Sequence, residues 1–240
     1  SKKIGKLPSL SGKLGENPFG YGLHAGKRDR LGWYIGTEGE WRLSESIRTQ
    51  GELTAYEKRG VFISPRIDWE THGDDGFQRG SVENGWIRDQ GNDRGVDLRG
   101  VSIGERRNYL HAYSVNRFRE RWRFAAQMEW DEDSEVFRDF RRDRFQDKQW
   151  NDHFGELAYE SDNWTLSTLT RWQANKHEAM VEQHPSVRFD LAPTPWPHPK
   201  TYNSLSFEFG GFRAKDETGS LVSRSKKLDL GYQLQRPINL

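Results

Sequence analysis

Alternation with a period of two runs through the chain, and helical periodicity is scarce. In Arg121–Trp130, Trp122, Phe124, Ala126, Met128 and Trp130 share one face, while Arg121, Arg123, Ala125, Gln127 and Glu129 share the other. Leu31, Trp33, Ile35 and Trp41 stand opposite Tyr34, Glu38 and Glu40. Val61, Ile63, Ile67 and Trp69 alternate with Ser64, Arg66 and Asp68. Trp164, Leu166 and Trp172 oppose Ser167 and Arg171, with Leu169 out of phase. Leu205, Phe207 and Phe209 form a further stripe, as do Leu228, Leu230, Tyr232 and Leu234 against Asp229, Gln233 and Gln235.

Turn residues separate these runs at Thr71–Gly76, Asp89–Asp93, Ser161–Asn163 and Lys215–Gly219,. The pattern predicts an all-β, antiparallel, up-and-down protein of roughly ten to twelve strands joined mostly as hairpins. Two stretches do not fit strands and are predicted as long loops at one rim. One is Asp131–Asn151, dense in Asp, Arg and Phe; the other is Ala192–Lys200, with Pro193, Pro195, Pro197 and Pro199.

Composition alters this picture in one respect. Hydrophobic residues are 33% of the 240, charged residues 30%, and mean hydropathy is −0.99, averages that suit a poorly folded chain,. Ten Trp, 13 Phe and 8 Tyr argue for order instead. Net charge is +1, from 37 basic and 36 acidic residues, so no global field draws the chain to nucleic acid,. Cysteine is absent, which excludes disulfides and thiolate chemistry,. No run approaches the length of a membrane-crossing helix,.

Trp33/Trp41, Trp122/Trp130 and Trp164/Trp172 are each eight residues apart. Eight steps of about 3.3 Å, tilted by about 40°, rise on the order of 20 Å, close to the ~25 Å apolar band of an outer-membrane barrel. Tryptophan favours the headgroup level, so such pairs, with Trp69, would form lipid-facing girdles. Glu38, Arg66, Asp68, Arg121, Arg123, Glu129 and Arg171 would then face a watery lumen,. The same alternation also fits a soluble β-sandwich, such as a carbohydrate-binding module with exposed Trp and Tyr. Catalysis and metal binding have no spacing in their favour. The seven His match no zinc motif, and Asp131, Glu132 and Asp133 open no calcium loop,. Neither a catalytic residue, a metal ligand nor a cofactor is assigned.

The order of segments resembles the barrel domain of the lipopolysaccharide-assembly protein family, LptD (OstA), over about Gly20 to Leu240. The resemblance starts with the hairpins from Gly20-Tyr21-Gly22 through Gly32–Gly36 to Lys58–Phe62. It continues in Asn84–Asp89 and Asp93-Arg94-Gly95. Its best match is Asp131-Glu132-Asp133-Ser134-Glu135-Val136-Phe137-Arg138-Asp139-Phe140, similar to the family's "S-D-x-x-(F/Y)-x-R-D-F" loop, followed by Gly155–Tyr159 and Asn163–Ser167. Glu132 and Val136 depart from that loop pattern, and Gln183-His184-Pro185 keeps only the Pro of an Arg-Leu-Pro step.

The resemblance implies residues 1–19 as a lead-in and 20–240 as the N-terminal half of a larger transmembrane β-barrel in a Gram-negative outer membrane. It implies transport and outer-leaflet insertion of lipopolysaccharide, without bond chemistry. The implied partners are lipopolysaccharide, outer-membrane lipids, a plug lipoprotein of the LptE type and a periplasmic bridge protein of the LptA type. Pro8 and Pro18 are candidates for loosening a gate strand, since proline removes a ladder donor.

Overall fold

The computed structural model describes residues 10–13, 19–147, 151–195 and 201–236. Thirteen strands and two short helices occur, in the order β1 (Leu10–Lys13), β2 (Phe19–Arg28), β3 (Gly32–Arg42), β4 (Ile47–Tyr56), β5 (Gly60–Gly73), β6 (Gly76–Arg88), β7 (Arg106–Phe118), β8 (Trp122–Asp131), α1 (Val136–Phe140), α2 (Arg142–Asp147), β9 (Phe154–Glu160), β10 (Trp164–Arg171), β11 (Met180–Pro195), β12 (Tyr202–Lys215) and β13 (Leu221–Gln235). Each strand is hydrogen-bonded to its neighbours in sequence, giving one antiparallel up-and-down sheet with β1 and β13 as its edges. Among the described residues no pairing joins those two edges, and no second sheet of a sandwich occurs. Pro8 and Pro18 lie outside the described residues.

Strand lengths are unusual for a soluble sheet. β2–β8 and β11–β13 have 10 to 16 residues, against a usual five or six,. Tight connections hold the register. Arg119 and Glu120 both take left-handed φ angles, 50° and 57°, the twist of a type I′ turn between β7 and β8,. Gly76, which opens β6, has φ 149°, and a Cβ there would lie 1.9 Å from the Arg117 carbonyl, so only glycine fits,.

The chain divides into two compact units. The first comprises Ser1–Thr71, Arg79–Tyr113 and Met128–Asp152; the second comprises His72–Gln78, Ser114–Gln127 and His153–Leu240. In the first, one face of β3–β5 is apolar and bare, with Trp33 54%, Ile35 65% and Trp41 55% exposed. Leu53, Val61, Ile63 and Ile67 share that exposure. The opposite face of β4–β7 carries Thr54, Ser64, Glu83 and Arg107, all buried. The same face carries the buried Tyr56, Phe62, Ile87 and Tyr109, so polar and aromatic side chains are interleaved there while the apolar face stays bare.

The second unit repeats the distribution. Phe124, Leu157, Leu166, Val187 and Phe209 are exposed on one face, which the cross-strand register carries on to Leu228, Leu230, Tyr232 and Leu234 of β13. Arg123 pairs with Glu156, and Arg188 with Asp190, on the other face. An aromatic row crosses five strands: Phe118 stacks on Trp122 at 6.2 Å, Trp122 meets Tyr159 at 5.0 Å, Tyr159 meets Trp164 at 5.2 Å, and Trp164 meets Phe189 at 5.9 Å.

Four expectations are corrected. Among the described residues the strands number thirteen against roughly ten to twelve expected, because the short β1, within the 1–19 lead-in, pairs with β2. Residues 131–147 form no outlying rim loop; they fold as α1 and α2 against the polar face of the first unit, where Phe140 stacks on Phe62 at 5.3 Å and packs on Tyr56 at 5.5 Å. Each such aromatic contact is worth about 0.5–1.5 kcal/mol beyond its buried area. The proline-rich stretch is strand as far as Pro195, since β10 stops pairing β11 at Leu191 and a bulge lies between Leu191 and Thr194, leaving Pro193 no ladder donor to supply,. Leu31 sits in the turn before β3, buried with Tyr56 and Phe62, and not on the face of Trp33.

Candidate functional site

Residues 131–147 cross the polar face because two sets of charges hold them there. The first set centres on Arg107 of β7, which is wholly buried. Its guanidinium donates to Asp133 through Nε and Nη2 at 2.9 Å each, to Asp139 at 2.9 Å and to Asp89 at 3.0 Å. Asp89 also accepts from Arg59 at 2.7 Å, and Arg28 donates to the Asp139 carbonyl at 3.3 Å. The Arg107 guanidinium lies 5.2 Å from the centre of the Phe140 ring. Charge on charge at this depth persists only where every partner is satisfied.

The second set centres on Glu83 of β6. Its carboxylate accepts from the Tyr109 hydroxyl at 2.6 Å and the Ser64 hydroxyl at 3.4 Å, and pairs with Arg66 at 3.5 Å, Arg141 at 3.3 Å and Arg144. Arg141 also donates to the Tyr109 hydroxyl at 2.7 Å, pairs with Glu52 and lies over the Phe62 ring at 4.9 Å. Burial alone would lower the Arg141 pKa, but Tyr109, Glu52 and Glu83 outweigh it and push the pKa up, so this guanidinium stays charged,. Tyr109 fits because Gly85 on β6 has no side chain: a Cβ there would stand 2.1 Å from the ring.

Beside Glu83 opens a cavity of about 530 Å³, lined among others by Glu38, Glu40, Gln50, Glu52, Arg66, Arg141 and Arg144. The register explains its polarity. Glu38 faces Glu52, which faces Ser64; Glu40 faces Gln50, which faces Arg66. These polar residues occupy the positions between the apolar ones on β3–β5.

The predicted residues fall as follows. Glu38 and Arg66 line the cavity, and Arg66 is held by Asp68 at 2.7–3.0 Å. Arg123 pairs with Glu156, while Glu129 accepts the backbone N–H of Asp152 at 2.9 Å. Arg121 lies in the turn before β8, exposed and paired with Asp162 at 3.1 Å. Arg171 ends β10, opposite Phe154 and Gln183. Trp33 and Trp41 are exposed; Trp69, Trp122, Trp130 and Trp164 are half-buried. Trp172 lies beyond the end of β10, past a register shift between Leu169 and Arg171, so Trp164 and Trp172 do not share one strand. Of the loop motif, Asp133 and Asp139 hold Arg107, Phe137 packs on Tyr109 and His111, Phe140 stacks on Phe62, and exposed Arg138 pairs with Glu135.

Sequence reasoning missed Glu52, Glu83, Asp89, Arg107, Arg141 and Arg144. One signal was present: Arg107, Tyr109 and His111 alternate on one face, and Phe137 and Phe140 are three residues apart, the spacing of one helical turn,.

The segment 89–105 is tied down by Asp97, whose carboxylate accepts the backbone N–H groups of Arg99 and Val101 at 2.9 Å each and the Arg99 guanidinium at 2.6–2.8 Å. Burial alone would raise the Asp97 pKa; the Val101 and Arg99 donors outweigh it and lower the pKa. A depressed folded pKa adds stability above the ordinary aspartate value of about 3.9, and that stability is lost as pH falls through the lowered value. Amide exchange at Arg99 and Val101 should therefore accelerate as pH is taken below about 4, after correction for intrinsic rates. Asp97→Asn should remove the dependence; a variant that retains it would reject this anchor.

No helix among the described residues is long and apolar enough to cross a membrane, which leaves crossing by strands open. Among the described residues no group of three or more His, Cys, Asp or Glu is placed to hold a metal ion. No family model and no curated protein matches the chain.

Proposed function

We propose that this chain is part of the wall of an outer-membrane β-barrel of the LptD type, which moves lipopolysaccharide into the outer leaflet. The observation that carries the reading is the bare apolar face: exposed tryptophan and aliphatic side chains cover it, while the other face buries paired charges together with the aromatic cluster of Tyr56, Phe62 and Tyr109. In hydrocarbon the bare face costs nothing, and the hydrogen-bonded ladder satisfies the backbone, as a spanning strand requires. The row from Phe118 to Phe189 supplies an interfacial belt, flanked by the exposed pairs Arg117–Glu160 and Arg121–Asp162,. The unpaired edges β1 and β13 would be completed by further strands, because an open edge in lipid leaves backbone groups unsatisfied at several kcal/mol each,.

In this role the sugar of the glycolipid travels along the polar face while its acyl chains stay with the bilayer. A plug lipoprotein of the LptE type and a bridge protein of the LptA type belong to the same reading. A photo-crosslinking amino acid placed at Gln50, on the cavity, and at Ile63, on the apolar face, tests it in a Gram-negative outer membrane. The expected result is a lipopolysaccharide adduct from position 50 and phospholipid or acyl-chain adducts from position 63. Equal labelling of both positions by water-soluble probes, with no lipid adduct, would overturn the proposal.

A further inference from the structure

We infer that Arg213, Arg224 and Lys226 bind the phosphate of an anionic glycerophospholipid on the apolar face of the second unit, with its chains along Phe209 and Leu228. The inference rests on the reading of that face as lipid-facing; it adds which lipid is held there, and where.

The register places the residues. Phe209 faces Leu228, Gly211 faces Lys226 and Arg213 faces Arg224, with no shift between β12 and β13 over these pairs. Side chains two residues apart on a strand share a face, so the three cations continue the face of the exposed Phe209 and Leu228,. The apolar rows run from Leu205 and Tyr232 to Phe209 and Leu228, and stop where the cations begin. A lipid changes from chain to headgroup over the same step.

The charge at this step is unbalanced. Arg213 and Arg224 stand directly opposite each other, a like-charge pairing that destabilises a ladder and that a bound anion would relieve,. Among the described residues no carboxylate pairs with Arg213, Arg224 or Lys226. Glu182, opposite Arg213 on β11, is buried and already engaged: it accepts from Lys215 at 2.8 Å and from the backbone N–H of Gln173 at 3.1 Å. Glu208 and Asp229 lie on the other face, where both pair with Lys227.

Gly211 supplies the floor. Within 4 Å a Cβ there would meet only the His184 Cβ, at 3.8 Å, so the space above it is open. Lys226 stands across from this opening at a strand spacing of about 5 Å, and Arg224 on its diagonal at about 7–8 Å,. Two guanidinium forks and one ammonium can thus reach a single phosphate seated on Gly211. A free phosphate would leave Phe209 and Leu228 bare, whereas a diacyl lipid covers both. A choline or ethanolamine headgroup would bring a fourth cation to a place with no free carboxylate, so the preference is for a lipid with net negative charge.

The test is native mass spectrometry of the detergent-solubilised full chain, offered phosphatidylglycerol and phosphatidylcholine with the same chains in equal amounts. The expected result is retention of phosphatidylglycerol roughly fivefold or more above phosphatidylcholine. Arg213→Gln and Arg224→Gln should each bring the two lipids within about twofold, and Arg213→Lys should keep part of the preference. Lys227→Gln, on the other face, should leave it unchanged. Phosphatidylglycerol should raise the melting temperature of the parent and not of the Arg213→Gln and Arg224→Gln variants, a response that a purely structural role would not alter. Equal retention of the two lipids, a preference unchanged in both variants, or a phosphorylated glycolipid held more strongly than phosphatidylglycerol would overturn the inference. Acyl-chain adducts from Ile63 with no lipid preference here would remove this inference alone; absence of those adducts would remove the reading beneath it.

Discussion

Replacing Arg107 by Met is expected to cost about 3–5 kcal/mol, the usual penalty for removing one partner from a buried ionic cluster. Asp133 loses both guanidinium donors and, among the described residues, retains the backbone N–H of Glu135 at 2.9 Å. Asp139 loses its 2.9 Å bond and keeps Arg30 only at 4.0 Å. Asp89 fares better, because Arg59 still donates at 2.7 Å. Since the strand ladder does not involve these side chains, the loss should appear first as release of α1 and α2. Amide exchange over residues 135–141 should rise well before the strands β3–β7 unfold in urea. Combining Arg107→Met with Asp133→Asn and Asp139→Asn removes the stranded charges and should recover part of the loss. A single variant as stable as the parent would mean that the cluster does not anchor the segment.

The second large effect is expected at Ile63. Leu23, Thr37, Leu53 and Ile63 face one another across β2–β5. Thr37 is four residues from Trp33 and four from Trp41, so this row lies midway between the two exposed tryptophans. If that face meets acyl chains, Ile63→Arg sits near the bilayer midplane and should cost about 2–4 kcal/mol. On a face wetted by water, the same change at a half-exposed isoleucine should stay within about ±0.5 kcal/mol. Gln50→Arg on the opposite face serves as the control and should be close to neutral. Unfolding in vesicles, monitored by tryptophan emission, separates the alternatives; a neutral Ile63→Arg would remove the lipid-facing assignment.

Alternation alone carried most of the sheet. The faces of Trp33, Ile35 and Trp41 against Glu38 and Glu40, and of Ile63 and Ile67 against Ser64 and Arg66, are those found in the structure, because a pleated strand fixes side-chain direction at every step,. Trp172 escaped it, since one residue of bulge reverses every later position,. The candidate site was legible in only one of its two walls. Glu38 and Arg66 are visible as inward strand positions, but Arg141 and Arg144 enter from a segment with no strand pattern. Its docking depends on Arg107, Glu52 and Glu83, which precede it by tens of residues, and such contacts leave no local periodicity.

The order of strands has a consequence for assembly in time. Every strand finds its partner in the adjacent stretch of chain, across connections that range from tight turns to the longer segments 89–105 and 132–153, so none must wait for a distant segment,. The bond from Arg141 to Glu52 is different: 89 residues separate its ends. Loop-closure entropy disfavours that contact until the intervening hairpins have drawn its ends together, which favours a late arrival of residues 132–147, a lock turned once the wall behind it stands.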